Sequence, residues 1–158
     1  MAQRLFRVWP EHCSGPAYRM HHSGRVVELL LVGESPDAAR VAAETSRNGR
    51  NSRRITVARD PAEALRILAN RPRPDLILLL ADAQHNGAAL LEEVKGDPGL
   101  RHIPVMVVGD SEDGDDVERA YNQHANCYIR KPAGEDGLAE VMRSIERFWL
   151  GIVTLPPR

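Results

Sequence analysis

Four charged side chains each follow an apolar run by one intervening residue. Glu34 comes after Val26–Val32, Asp82 after Leu76–Leu80, Asp110 after Pro104–Val108 and Lys131 after residues 126–129. Carboxylates so placed could ligate a hard cation such as magnesium, which takes oxygen donors, or attack a phosphoryl group as nucleophiles. The plainer reading of Asp82 and Asp110 is as ordinary loop acids or as partners of Lys131. Histidine and cysteine offer less. The six histidines are scattered, and His21-His22 with His12-Cys13 lie in a stretch without regular periodicity. Cys13 and Cys127 form no CxxC pair, so neither a disulfide framework nor a zinc site is indicated.

Composition narrows the function classes. A chain of 158 residues is long enough for one domain with a sizeable core. Hydrophobic residues make up 42% and charged residues 27%, as in ordinary globular chains. The net charge is −1, so bulk charge gives no case for nucleic acid or a membrane surface. No apolar run approaches the length of a membrane span. The N-terminus has no apolar signal region. A cytoplasmic protein is expected.

The elements that must position these side chains can be read in order. Residues 1–25 carry four arginines against one glutamate, with Pro10, Gly15, Pro16 and Gly24, and are expected to be an irregular tail. Val26–Val32 is a near-continuous apolar run, the mark of a strand buried on both faces of a parallel sheet. Ser35-Pro36-Asp37 is a helix start, with N-cap, first-turn proline and first-turn acid. Arg47 to Arg53 is polar and expected to be a loop. Ile55–Ala58 is a short strand, and Asp60-Pro61-Ala62-Glu63 has the capping-box pattern. Residues 75–80 form a third strand, and Leu90, Leu91 and Val94 face inward from a third helix. Residues 104–108 and 126–129 supply the last two strands, with a short helix between them carrying Val117, Ala120 and Tyr121. In the final helix Leu138, Val141, Met142, Ile145, Phe148 and Trp149 recur at helical spacing.

Five strands alternating with five helices predict an α/β, doubly wound parallel sheet of flavodoxin-like order 2-1-3-4-5. The site then belongs at the carboxyl ends of the first and third strands, at Gly33-Glu34 and Leu80-Ala81-Asp82. The domain is expected to span 26–150, with 151–158 as a C-terminal arm whose Ile152, Val153 and Leu155 continue past a glycine.

Over residues 26–156 this pattern resembles a response-regulator receiver domain, a CheY-like fold, carried by Val32-Gly33-Glu34-Ser35-Pro36, the strand ending at Leu80, and Tyr128-Ile129-Arg130-Lys131-Pro132. The resemblance implies roles position by position. Leu80 stands where the family has its phosphoacceptor aspartate. Gly33 and Glu34 stand where it has a magnesium-binding acidic pair, and Asp82 where a backbone carbonyl reaches the metal. Gly109 replaces the hydroxyl residue that bonds the phosphoryl group. Tyr128 matches the aromatic that swings inward on activation, and Lys131 the lysine that pairs with the acceptor. Three of these positions have lost their chemistry, and Lys131 is expected to find Glu34, Asp82, Asp110 or solvent instead.

The C-terminal stretch, with Asn126–Ile129, Phe148-Trp149-Leu150 and Thr154-Leu155-Pro156, resembles the single-domain receivers associated with phytochromes. That implies a homodimer through Tyr121, Phe148, Trp149 and Leu150. The expectation is a stand-alone, dimeric pseudo-receiver of two-component, phosphorelay signal transduction, with no enzymatic activity of its own. Its partner would be a sensor histidine kinase, a phytochrome-like photoreceptor or another signalling protein, with no nucleic acid and no membrane. No cofactor is expected, magnesium at Glu34 and Asp82 being the one candidate. The alternative is an atypical active receiver phosphorylated at Asp82 or Asp110 with weak magnesium binding. A weaker third reading is a small ligand in the vacated pocket.

Overall fold

The apolar runs become strands because each must bury both faces. In the computed structural model, residues 26–47, 53–70, 72–81, 87–110, 113–134 and 136–148 are described. The strands are β1 (Val27–Val32), β2 (Arg53–Ala58), β3 (Leu76–Ala81), β4 (Val105–Gly109) and β5 (Cys127–Arg130). The helices are α1 (Pro36–Arg47), α2 (Pro61–Ala69), α3 (Gly87–Gly96), α4 (Gly114–Asn122) and α5 (Gly137–Phe148). All strand pairs are parallel and the sheet order is β2-β1-β3-β4-β5, as expected from the sequence.

Side-chain alternation along the strands divides the core into two layers. Leu30, Val32, Ile77, Leu79, Val105 and Val107 face Ala64 and Leu68 of α2, Leu90, Leu91 and Val94 of α3 and Ala120 of α4. Leu29, Leu31, Leu76, Leu78, Met106 and Val108 face Ala38 and Val41 of α1 and Leu138, Val141, Met142 and Ile145 of α5. Each buried leucine or isoleucine in these layers contributes about 1.5–3 kcal/mol of transfer free energy.

Local signals held at both early helix starts. The Asp37 N–H donates to Ser35 Oγ at 3.2 Å. The Glu63 N–H donates to Asp60 Oδ1 at 2.7 Å. The capping box is completed one residue early, because Glu63 Oε2 accepts from the Arg59 N–H at 2.9 Å.

One expectation needs correction. Arg53, read as loop, begins β2, where it pairs with Val27. An edge strand tolerates this polarity, and Arg54 Nη1 reaches Glu28 Oε1 at 3.0 Å. Phe148 keeps the helical spacing of the core stripe and is 54% exposed. The tail 1–25, Asp82, Trp149, Leu150 and the arm 151–158 lie outside the described residues.

Candidate functional site

The register brings the expected site residues level. Val32 pairs with Leu79, Leu80 with Val108, Ala81 with Gly109, and Gly109 with Arg130. Gly33, Leu80, Gly109 and Lys131 therefore converge at the carboxyl end of the sheet. Gly33 is fastened there by its N–H, which donates to the Ala58 carbonyl at 2.9 Å.

Gly33 has φ +146°, a conformation that side chains rarely adopt. A Cβ placed on it would lie 2.7 Å from Leu80 Cβ and 3.0 Å from its Cδ1. Leu80, half-buried, thus fills the space beside Gly33 and packs on the α1/α5 core layer. On the opposite face, a Cβ on Gly109 would run into the Tyr128 hydroxyl and lie 2.9 Å from Cζ. The Tyr128 ring packs on the α2/α3/α4 core layer and reaches along the sheet to its end. Each glycine is filled from a neighbouring strand, one on each face.

The charged residues stand at the rim. Lys131 Nζ lies 3.4 Å from Asp110 Oδ1, which selects one of the partners expected for this lysine. The Lys131 N–H donates to the Gly109 carbonyl at 2.9 Å, so backbone as well as charge ties β5 to β4. With the Asp110 side chain 74% exposed, this pair is worth about 0–1 kcal/mol. Glu34 is exposed at the head of α1. Among the described residues no three His, Cys, Asp or Glu side chains stand together as a metal site needs.

Two features had no signal in the sequence. Arg40 of α1 reaches Asp136, just before α5, at 3.3 Å, and this bond raises the Arg40 pKa above its ordinary value. Tyr121 Oη accepts from the Tyr128 N–H at 3.4 Å, fastening α4 to β5. Both join residues distant in sequence or in different elements. Cys127, in β5, is half-buried, and burial pushes its thiol pKa up, away from reactivity. Among the described residues, no helix is long and apolar enough to cross a membrane.

Comparison with known proteins places this geometry. The family model for the response regulator receiver domain matches residues 29–143. Response regulator Rcp1 of Synechocystis sp. is 36% identical over 135 residues, covering 81% of this chain and 92% of that protein. The crystal structure of the manganese-bound form of Rcp1 superposes with a TM-score of 0.73 at 35% identity, covering 83% of this chain and 99% of that one. The phosphorylated cyanobacterial phytochrome response regulator RcpA gives a TM-score of 0.75 at 36% identity, covering 84% and 100%. The matched span includes every strand end that forms the site, and the chain belongs to the response regulator receiver domain family of two-component signalling.

Proposed function

We propose that this receiver relays its signal by protein–protein contact and accepts no phosphoryl group at residue 80. The observation that carries this reading is the fit of Leu80 against Gly33, with 2.7 Å between its Cβ and the place a Gly33 side chain would begin. An acyl phosphate requires a carboxylate oxygen as nucleophile. A leucine side chain has no lone pair, and here it occupies the volume a second acid would need.

The metal chemistry of the family fits poorly for the same reason. Rcp1 was solved with manganese bound. Divalent ions of this kind take oxygen donors. Hydrocarbon stands at 80 and no side chain at 33, which leaves Glu34 as the one carboxylate of the acidic pair. No cofactor is assigned, and the domain has no enzymatic activity of its own in this reading.

Output would pass through the surface formed by α4, β5 and α5. Tyr121 is 50% exposed and Phe148 54% exposed on these elements. They are assigned to a homodimer interface together with Trp149 and Leu150. The similarity to a phytochrome response regulator supports a sensor histidine kinase or phytochrome-like photoreceptor as partner in the cytoplasm.

Intact-mass measurement after incubation with magnesium and acetyl phosphate tests the reading, with hydroxylamine as the control for acyl phosphate. An unchanged mass is expected. A hydroxylamine-sensitive gain of one phosphoryl group would overturn it and direct attention to Asp82 or Asp110.

A further inference from the structure

We propose that Gly109 is a permanent seat for the Tyr128 ring, fixing the α4–β5 surface in a single arrangement. Tyr128 pairs with Val107 in the register, so its side chain shares a face with Val107 and, two positions on, with Gly109. A ring laid along that face arrives with its hydroxyl over Gly109. It can lie there because residue 109 lacks a Cβ: any larger residue would meet the Tyr128 hydroxyl and put its Cβ 2.9 Å from Cζ. Ala81, across the β3–β4 pair, is also small, and its Cβ would lie 3.4 Å from the added atom. The floor of the seat is thus two of the smallest residues side by side.

Contacts with its neighbours hold the ring's strand in place. The Tyr128 N–H donates to Tyr121 Oη at 3.4 Å, and the Lys131 N–H donates to the Gly109 carbonyl at 2.9 Å. The ring itself packs against the α2/α3/α4 layer. Turning it outward would strip an aromatic face from this layer and leave the space over Gly109 unfilled by any other described residue, which is unfavourable on both counts. No charge or covalent event at the site is needed to draw the ring in. A two-position switch needs two arrangements of similar free energy; here one is filled and the other would leave a hole. The seat rests on geometry alone, while its consequence, a constant signalling surface, rests on the interaction-only reading above.

The test uses the full chain with its three tyrosines, Tyr18, Tyr121 and Tyr128, isotope-labelled at the ring ε carbons and read by NMR. Single Tyr→Phe variants assign the signals. The Tyr128 signal is expected to be single, displaced from the free-tyrosine position, and unmoved by magnesium with acetyl phosphate. In Gly109→Ala it is expected to move to the free-tyrosine position. Two Tyr128 signals in the unmodified chain, or an unmoved signal in Gly109→Ala, would overturn the seat. If Gly109→Ala fails to fold, Gly109→Ala/Tyr128→Ala is expected to fold; failure of the double variant also would place the clash elsewhere and overturn the proposal. The two readings fail separately. A phosphoryl adduct with an unmoved Tyr128 removes the interaction-only function and leaves the seat, and a moved Tyr128 without an adduct does the reverse.

Discussion

The two ends of the sheet are built on opposite principles. At the amino end polar groups are buried among the apolar ones. Glu28 is 8% exposed and Asp75 5% exposed. They are bound reciprocally, the Glu28 N–H to Asp75 Oδ2 at 2.9 Å and the Asp75 N–H to the Glu28 carbonyl at 2.7 Å. Nearby, Lys95 Nζ donates to the Ile103 carbonyl at 2.9 Å and to Asn126 Oδ1 at 3.1 Å, and Asn126 Oδ1 also accepts from the Val105 N–H at 2.8 Å. Burial lowers the Lys95 pKa, yet its carbonyl partners keep the ammonium bonded. At the carboxyl end, where a receiver would concentrate its charge, Leu80 and Tyr128 fill the space beside two glycines. Buried polarity in this domain sits where strand starts need partners, and hydrocarbon sits where transfer chemistry would need oxygen.

Attempts to reverse that arrangement should meet the largest resistance at Gly33. Gly33→Asp forces a side chain into φ +146° and onto Leu80. Backbone strain of about 1–3 kcal/mol and overpacking of about 1–3 kcal/mol together predict a loss of about 2–6 kcal/mol in urea unfolding. Adding Leu80→Ala should recover the overpacking part alone. A loss below about 1 kcal/mol for Gly33→Asp would mean that Leu80 yields easily and that the two ends differ less than their contacts indicate. Next in size is Asp75→Ala, which leaves the buried Glu28 N–H without its side-chain acceptor. It should cost about 2–3 kcal/mol, and Asp75→Asn, which keeps an acceptor, less than half of that. Equal losses for the two variants would assign the effect to charge rather than to the hydrogen bond.

How legible each end was follows from how local its determinants are. The strands could be read because burial on both faces leaves an unbroken apolar run, as in Leu76–Leu80. The starts of α1 and α2 could be read because a cap and the backbone N–H that donates to it lie within three residues, as Asp60 and Glu63 do. The first two residues of β2 could not, because Arg53 and Arg54 are polar and become strand only by pairing with β1. At the site, the identities of residues 33, 80 and 109 were plain in the sequence. Their crosswise packing was not, since it depends on which strands lie side by side and how far each side chain reaches. The same holds for Lys131, whose choice of Asp110 depends on where β4 ends beside β5.

Leu80→Asp probes the carboxyl end directly. Replacing a half-buried leucine with a carboxylate on the α1/α5 layer should cost about 1–2 kcal/mol from lost apolar burial. It should not produce magnesium-dependent labelling by acetyl phosphate, because Gly33 and Gly109 still lack their side chains. Strong labelling of this single variant would show that one carboxylate suffices and that the other two positions matter less than their packing indicates.

The smallest expected effect lies in the turn that feeds the amino end of β5. His124 has φ 67°, in the left-handed region, and its N–H donates to the Tyr121 carbonyl at 2.9 Å. A non-glycine residue there carries a steric penalty of about 1–2 kcal/mol. His124→Gly removes that penalty but gives the unfolded chain more freedom, which offsets part of the gain. A net stabilisation of about 0.5 kcal/mol is expected, read as a higher urea midpoint with an unchanged slope. A destabilisation would mean that the imidazole itself supports the turn. The amino end would then depend on a further polar group, widening the difference between the two ends of the sheet.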